Sequence, residues 1–219
     1  MLSFLAELCG TTETLYIMGD FFEFWLGYPE VPFPHYLPVL EALRKLRESG
    51  TNIIYFEGNH DFHMGPFFSE TLGARIFPGP AALTIAGQKA YLCHGDQANP
   101  ADIPYRLLRL VFHSSFTRWL TNIVPPWVAC AIADHMGRKG REYLHLKGEN
   151  PAFRNILITH AAKQFAKGYD LVVAGHFHIP FTETFPAMPG KRLVSLGAWA
   201  AGLHFGELID NEIFLKQYR

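Results

Sequence analysis

Asp20, Asn59, His60, Asp61, His94, His176 and His178 are the residues whose types and spacing can do chemistry together. Each lies at or just after the end of a short apolar run that a glycine punctuates. The four runs are LYIMGD at 15–20, IIYFEGNHD at 53–61, AYLCHGD at 90–96 and LVVAGHFH at 171–178. Carboxylate, amide oxygen and imidazole together suit a divalent Mn, Fe, Zn or Co and argue against a soft thiolate site. Two such ions bridged by one carboxylate would clamp a phosphoryl group from both sides. A lone histidine is ordinarily a hydrogen-bonded core residue or a surface one. His35, His63, His113, His135, His145, His160 and His204 take that reading. His94, His176 and His178 differ, because each follows a strand or a strand-ending glycine.

The elements that must position these residues are strands. Polar residues at the carboxyl ends of buried strands are where α/β folds put their chemistry. Strands are expected over Leu15–Met18, Asn52–Phe56, Arg75–Phe77, Leu83–Ile85, Ala90–Cys93, Leu171–Ala174, Thr182–Phe185 and Arg192–Leu196. A closing hairpin is expected around Asn211, and a hairpin turn at Gly87-Gln88. Helices are expected over Met1–Cys9, Val39–Ser49, Phe62–Leu72, Tyr105–Val124, Trp127–Gly137 and Asn155–Lys167. Val39–Ser49 is the clearest, with Val39, Leu40, Leu43 and Leu46 on one side. Phe21–Trp25 reads as core packing. The expected class is α/β in one domain, 1–219, with a helical insertion at about 100–167.

That insertion is apolar on more than one face, through Leu107, Leu108, Leu110, Val111, Phe112, Phe116, Trp119 and Leu120. Arg106, Arg109, Arg118 and Arg138 are scattered among them. It reads either as a subdomain packed on the core or as a cap that binds an acyl chain or touches a membrane surface. An amphiphilic substrate satisfies both forms of the second reading.

Composition sets limits. The chain has 219 residues, is 49% hydrophobic and carries a formal net charge of −1. That composition argues against disorder, and nothing marks nucleic acid as the default partner. Three cysteines without zinc-ligand spacing indicate no disulfide framework and fit a reducing cytoplasm. No stretch reads as a membrane-spanning helix or a secretory signal.

The ordered set GD, GNHD, HGD and GHxH resembles the calcineurin-like metallophosphoesterases. The flanks LYIMGDFFEFWLG, GNHDF, HGDQANPAD and LGAW, with the YRLLR and MGRKGRE segments of the insertion, resemble the UDP-2,3-diacylglucosamine hydrolases of lipid A biosynthesis over essentially the whole chain. The resemblance implies a phosphoesterase β-sandwich flanked by helices, with an inserted cap. It implies two divalent metal ions, most simply Mn2+, and an amphiphilic nucleotide-sugar lipid substrate. Asp20 would bridge the two metals. Asn59, His94 and His176 would complete one, and His178 would serve the other. His60 would act at the scissile phosphate, with Asp61 orienting it. Asn59, His60, Asp102, Lys147 and His176 would contact substrate. The implied reaction hydrolyses a pyrophosphate to UMP and 2,3-diacylglucosamine 1-phosphate, in the cytoplasm or on the cytoplasmic face of the inner membrane.

The sequence departs from that family at three places. The family opens with a strand carrying Asp-x-His, which is missing here along with that strand, so a reading frame beginning upstream is expected. His60 stands where the hydrolases commonly have Arg. Gly140 and Leu144 occupy cap positions that are polar in them. Two other readings stay open: a phosphoesterase for another nucleotide or phosphodiester, and a truncated or inactive scaffold with the same fold.

Overall fold

The computed structural model describes residues 1–28, 33–120, 123–125, 127–128, 131 and 151–219. They fall into two compact units. One holds Met1–Pro78 with the described residues of Tyr105–Leu146, the other Gly79–Pro104 with those of Lys147–Arg219.

In the first unit, α1 (Leu2–Leu8) precedes β1 (Thr14–Ile17). Two-residue β2 is Trp25–Leu26, and α2 is Leu37–Glu48. A proline in its first turn suits α2, because the amide it lacks would be unsatisfied there anyway. Leu40, Leu43 and Leu46, spaced three apart, are its buried residues. Outward, Arg44 pairs with Glu41 and Glu48. Then come β3 (Asn52–Phe56), β4 (Asp61–Phe62) and β5 (Arg75–Phe77). The sheet order is β1-β3-β5, all parallel, with Ile17 opposite Tyr55; β2 and β4 form a separate parallel pair. Phe22, Phe24, Trp25, Tyr55, Phe62 and Phe68 belong to one buried cluster, as the aromatic run at 21–25 predicts.

The second unit has a five-stranded sheet. Its first members are β6 (Ala81–Ile85) and β7 (Gln88–Cys93), joined by Ala86-Gly87, both at positive φ. The turn is therefore one residue earlier than expected and of the kind that suits a tight hairpin. The chain re-enters the first unit at Tyr105, within α3 (Ile103–Phe112), followed by α4 (Ser115–Leu120). It returns through α5 (Pro151–Phe165), β8 (Leu171–Ala174), β9 (Pro180–Thr184) and β10 (Arg192–Leu196). The last elements are α6 (Trp199–Gly202) and the hairpin β11 (His204–Ile209) with β12 (Glu212–Gln217). The order β6-β7-β8-β10-β9 places β8 between two parallel neighbours, and all of its residues are buried. That is why LVVA carries no polar residue.

Two expected helices differ. Phe62–Leu72 is not one helix: Phe62 ends β4, His63 and Gly65 take positive φ, and only a single π turn follows at Phe67–Thr71. The trade is packing, since Met64, Phe68 and Leu72 are fully buried. The helix expected over Tyr105–Val124 breaks at His113-Ser114, where the Ser114 hydroxyl accepts the Thr117 N–H at 3.2 Å and so caps α4. Most of the helix expected over 127–137, the basic residues 138–141, Gly140, Leu144 and Lys147 lie outside the described residues.

Candidate functional site

Parallel pairing explains why the ligand types gather. In the first unit Ile17 of β1 lies opposite Tyr55 of β3, so the chain leaves both strands at the same end of the sheet. Gly19-Asp20 follows one strand and Gly58-Asn59-His60-Asp61 the other. The Asp20 carboxylate accepts the backbone N–H groups of Asn59 and His60 on Oδ1, each at 2.9 Å. Asp20 itself has φ 54. A left-handed conformation at a non-glycine residue is strained and gathers at functional sites. A Cβ on Gly58 would lie 2.3 Å from Asp20 Oδ1 and 2.5 Å from its backbone nitrogen, so no side chain fits between the two turns.

Asp61 is the hub of this half. Its buried carboxylate accepts backbone N–H groups from Asp20 at 2.9 Å, Phe21 at 2.6 Å, Phe22 at 3.4 Å and Gly58 at 2.8 Å. The Tyr55 hydroxyl donates to it at 2.5 Å. Asp61 thus ties the two turns together; its bonds go to the backbone and Tyr55, not to the His60 ring. His60 Nδ1 is buried without a hydrogen-bond partner. Burial pushes the Asp61 carboxyl up to about 7, the Asp20 charge adds to this, and the bonds from Tyr55, Asp20 and Gly58 oppose it.

In the second unit Cys93 of β7 lies opposite Ala174 of β8, again in parallel. His94 and Gly175-His176 continue from these partners. The backbone closes the pair, because Gly175 N–H donates to the His94 carbonyl at 2.8 Å. His94 Nε2 and His176 Nδ1 face each other at 3.2 Å. Gly95, at φ +113, leaves space that a Cβ would fill at 2.9 Å from the Gly175 carbonyl and 3.3 Å from His176 Cβ. His176 and His178 have φ 65 and 59. Asp102 is exposed on the loop after β7. Lys147 lies outside the described residues.

The donor chemistry of both halves fits a divalent metal. A carboxylate fixed by backbone donors and two convergent imidazole nitrogens are hard-to-borderline ligands. Sequence reasoning missed Tyr55. A tyrosine inside a buried apolar strand needs a partner for its hydroxyl, which was the available signal.

A family model described as calcineurin-like phosphoesterase matches residues 4–180. The chain belongs to this family. It is accordingly a metal-dependent phosphoester hydrolase, with the phosphoesterase fold that the motifs imply. The UDP-2,3-diacylglucosamine hydrolase of Edwardsiella ictaluri is 31% identical, over 100% of this chain and 90% of that protein. That of Stenotrophomonas maltophilia is 31% identical, over 90% and 82% respectively. Among solved structures, Vacuolar Protein Sorting 29 of Cryptosporidium parvum aligns with a TM-score of 0.43 at 14% identity, covering 99% of this chain and 86% of that one.

Proposed function

We propose that this chain hydrolyses the pyrophosphate of UDP-2,3-diacylglucosamine, releasing UMP and 2,3-diacylglucosamine 1-phosphate for lipid A biosynthesis. The near-full-length similarity to hydrolases of that name supports the chemistry. One observation carries the choice of an amphiphilic substrate: the apolar exposure of α3 and α4. Leu107, Leu110, Phe116 and Trp119 are each more than half exposed. Water-facing apolar area on that scale marks an interaction surface, and a small soluble nucleotide does not need it.

In this reading Asp20, Asn59, His94 and His176 hold one divalent ion, and Asp20 and His178 serve a second. Mn2+ is the proposed metal. The ions would supply Lewis-acid charge stabilisation and lower the pKa of water. The chain's own residues do the rest. His60 contacts the scissile phosphate and either donates a proton or stabilises developing charge. Asp61 holds the two turns that carry Asp20 and His60. Asn59, Asp102, Lys147 and His176 contact the nucleotide-sugar. Residues 1–219 act as one catalytic domain with a cap at about 100–167. The protein works on the cytoplasmic face of the inner membrane as a peripheral protein. No helix among the described residues is long and apolar enough to cross a membrane.

The test is turnover of UDP-2,3-diacylglucosamine with Mn2+, read by mass spectrometry, beside bis(p-nitrophenyl) phosphate. Release of UMP with 2,3-diacylglucosamine 1-phosphate is the expected result. Fast hydrolysis of the small ester with none of the lipid overturns the substrate. Silence on both overturns the enzyme reading.

A further inference from the structure

We propose that Tyr55 is a positioning residue for the carboxylate of Asp20, acting through Asp61. The inference rests on the reading of Asp20 as a metal ligand, made above.

Tyr55 is fully buried in β3, where a phenylalanine would satisfy packing alone. Its ring meets Phe68 edge-on at 5.1 Å, so the apolar part of the side chain is accounted for. The hydroxyl is not needed for that contact. It donates to Asp61 Oδ2 at 2.5 Å, a charge-assisted bond of the short kind. The same oxygen accepts Phe21 N–H at 2.6 Å and Phe22 N–H at 3.4 Å, and its twin accepts Asp20 N–H and Gly58 N–H. The carboxylate therefore sits between β3 and the turn that bears Asp20, and only one of these donors comes from a side chain.

The consequence reaches Asp20 along a closed path. Tyr55 fixes the Asp61 carboxylate; Asp61 fixes the Asp20 and Phe21 amides; Asp20 Oδ1 in turn accepts from Asn59 and His60. Asp20 must be held at φ 54, a conformation its surroundings have to enforce. Remove the hydroxyl and Asp61 Oδ2 keeps only backbone donors from the loop it is meant to restrain. The Gly58 N–H then remains as the carboxylate's one tie outside that loop, and the loop is held less firmly. A metal-binding carboxylate on a looser turn binds its ion less tightly, because ordering the turn is charged to binding.

The experiment uses the full chain with Tyr55→Phe, which keeps the ring. Mn2+ binding is followed by calorimetry and backbone amide exchange by NMR. The expected result is metal affinity about tenfold weaker, with faster exchange at Asp20, Phe21 and Gly58 and unchanged exchange at Ile54 inside the sheet. A purely structural role would accelerate exchange in the β1–β3 ladder as well, and that outcome overturns the proposal. So does Mn2+ affinity within about twofold of the parent. If Tyr55→Phe does not fold, Asp61→Asn serves: it must lose at least as much affinity, and wild-type binding there refutes the path. A parent protein that takes up no divalent ion while exchange at Asp20 still responds to Tyr55→Phe overturns the metal reading and leaves the hydrogen-bond path intact.

Discussion

At the residue scale, Gly58 and Asp61 do the least visible work. Asp20 and Asn59 are legible in the sequence because an apolar run, a glycine and a ligand type recur. The reason for the glycine at 58 is legible only in space. Its missing Cβ is where the Asp20 carboxylate lies, 2.3 Å from the position a methyl group would occupy. Gly58→Ala is therefore expected to cost about 1–3 kcal/mol of stability by overpacking. It should cost activity out of proportion, because the group displaced is Asp20 itself. Denaturant unfolding and turnover on bis(p-nitrophenyl) phosphate check both; an alanine variant with parental kinetics would refute the contact. Asp61 reads from sequence as a partner for His60. The structure gives its carboxylate to backbone amides and Tyr55 instead. A carboxylate's choice among nearby donors is set by backbone direction, which residue spacing does not encode.

At the element scale, the strands and the helices α2 and α5 were readable, and the expected helices over 62–72 and 105–124 were not. β3, β8 and β10 fall on the expected residues, because four or five apolar positions bounded by polar or glycine residues leave little freedom. Between α3 and α4, apolar spacing runs on without interruption, and only Ser114 as a cap stops it. The corner is also held from beneath. His63 Nε2 lies 3.0 Å from the Phe112 carbonyl at the end of α3, and Arg109 Nη1 meets His113 Nε2 at 2.5 Å. His113 Nδ1 sits 3.1 Å from Glu57 Oε2, poorly aligned, with Glu57 almost entirely buried. A buried carboxylate depends on whatever positive or donor group remains near it. His113→Ala should thus lower stability more than Glu57→Gln, which removes the carboxylate's charge as well. Equal losses in denaturant unfolding would refute that asymmetry. On α5, burial depresses the pKa of His160, and Lys167 and Lys163 add to it. The unfolded chain then binds more protons between the lowered value and 6.5. The stability His160 contributes is present above 6.5 and lost as pH falls through the folded value. His160→Gln should narrow the difference in melting temperature between about pH 7.5 and about pH 5; an unchanged difference would show that His160 does not titrate on unfolding.

At the scale of the whole molecule, the proposed function assigns chemistry and substrate choice to different parts of the chain. The family's metal chemistry predicts that Mn2+ stabilises the folded protein by linkage, about 2.7 kcal/mol at one hundred times its dissociation constant. A chelator should reverse the rise in melting temperature, and no rise would mean the folded chain takes up no ion. In the proposed reading substrate choice rests on α3 and α4, whose exposed apolar residues stand alongside Arg106 and Arg118. Apolar side chains interleaved with arginine are the composition that binds an anionic lipid surface, the arginines through charge and the rest through buried area. The two contributions are separable. Raising salt screens the first and leaves the second. Leu107→Asp with Leu110→Asp removes apolar area and adds like charge to the lipid. That pair should raise KM for the diacyl substrate at least about tenfold, since burying each leucine is worth about 2 kcal/mol, with a much smaller change on bis(p-nitrophenyl) phosphate. Flotation with vesicles containing phosphatidylglycerol should fall in parallel. If both substrates slow equally, the two leucines support the fold rather than the lipid. If flotation alone falls, these helices dock on the membrane and the acyl chains bind elsewhere.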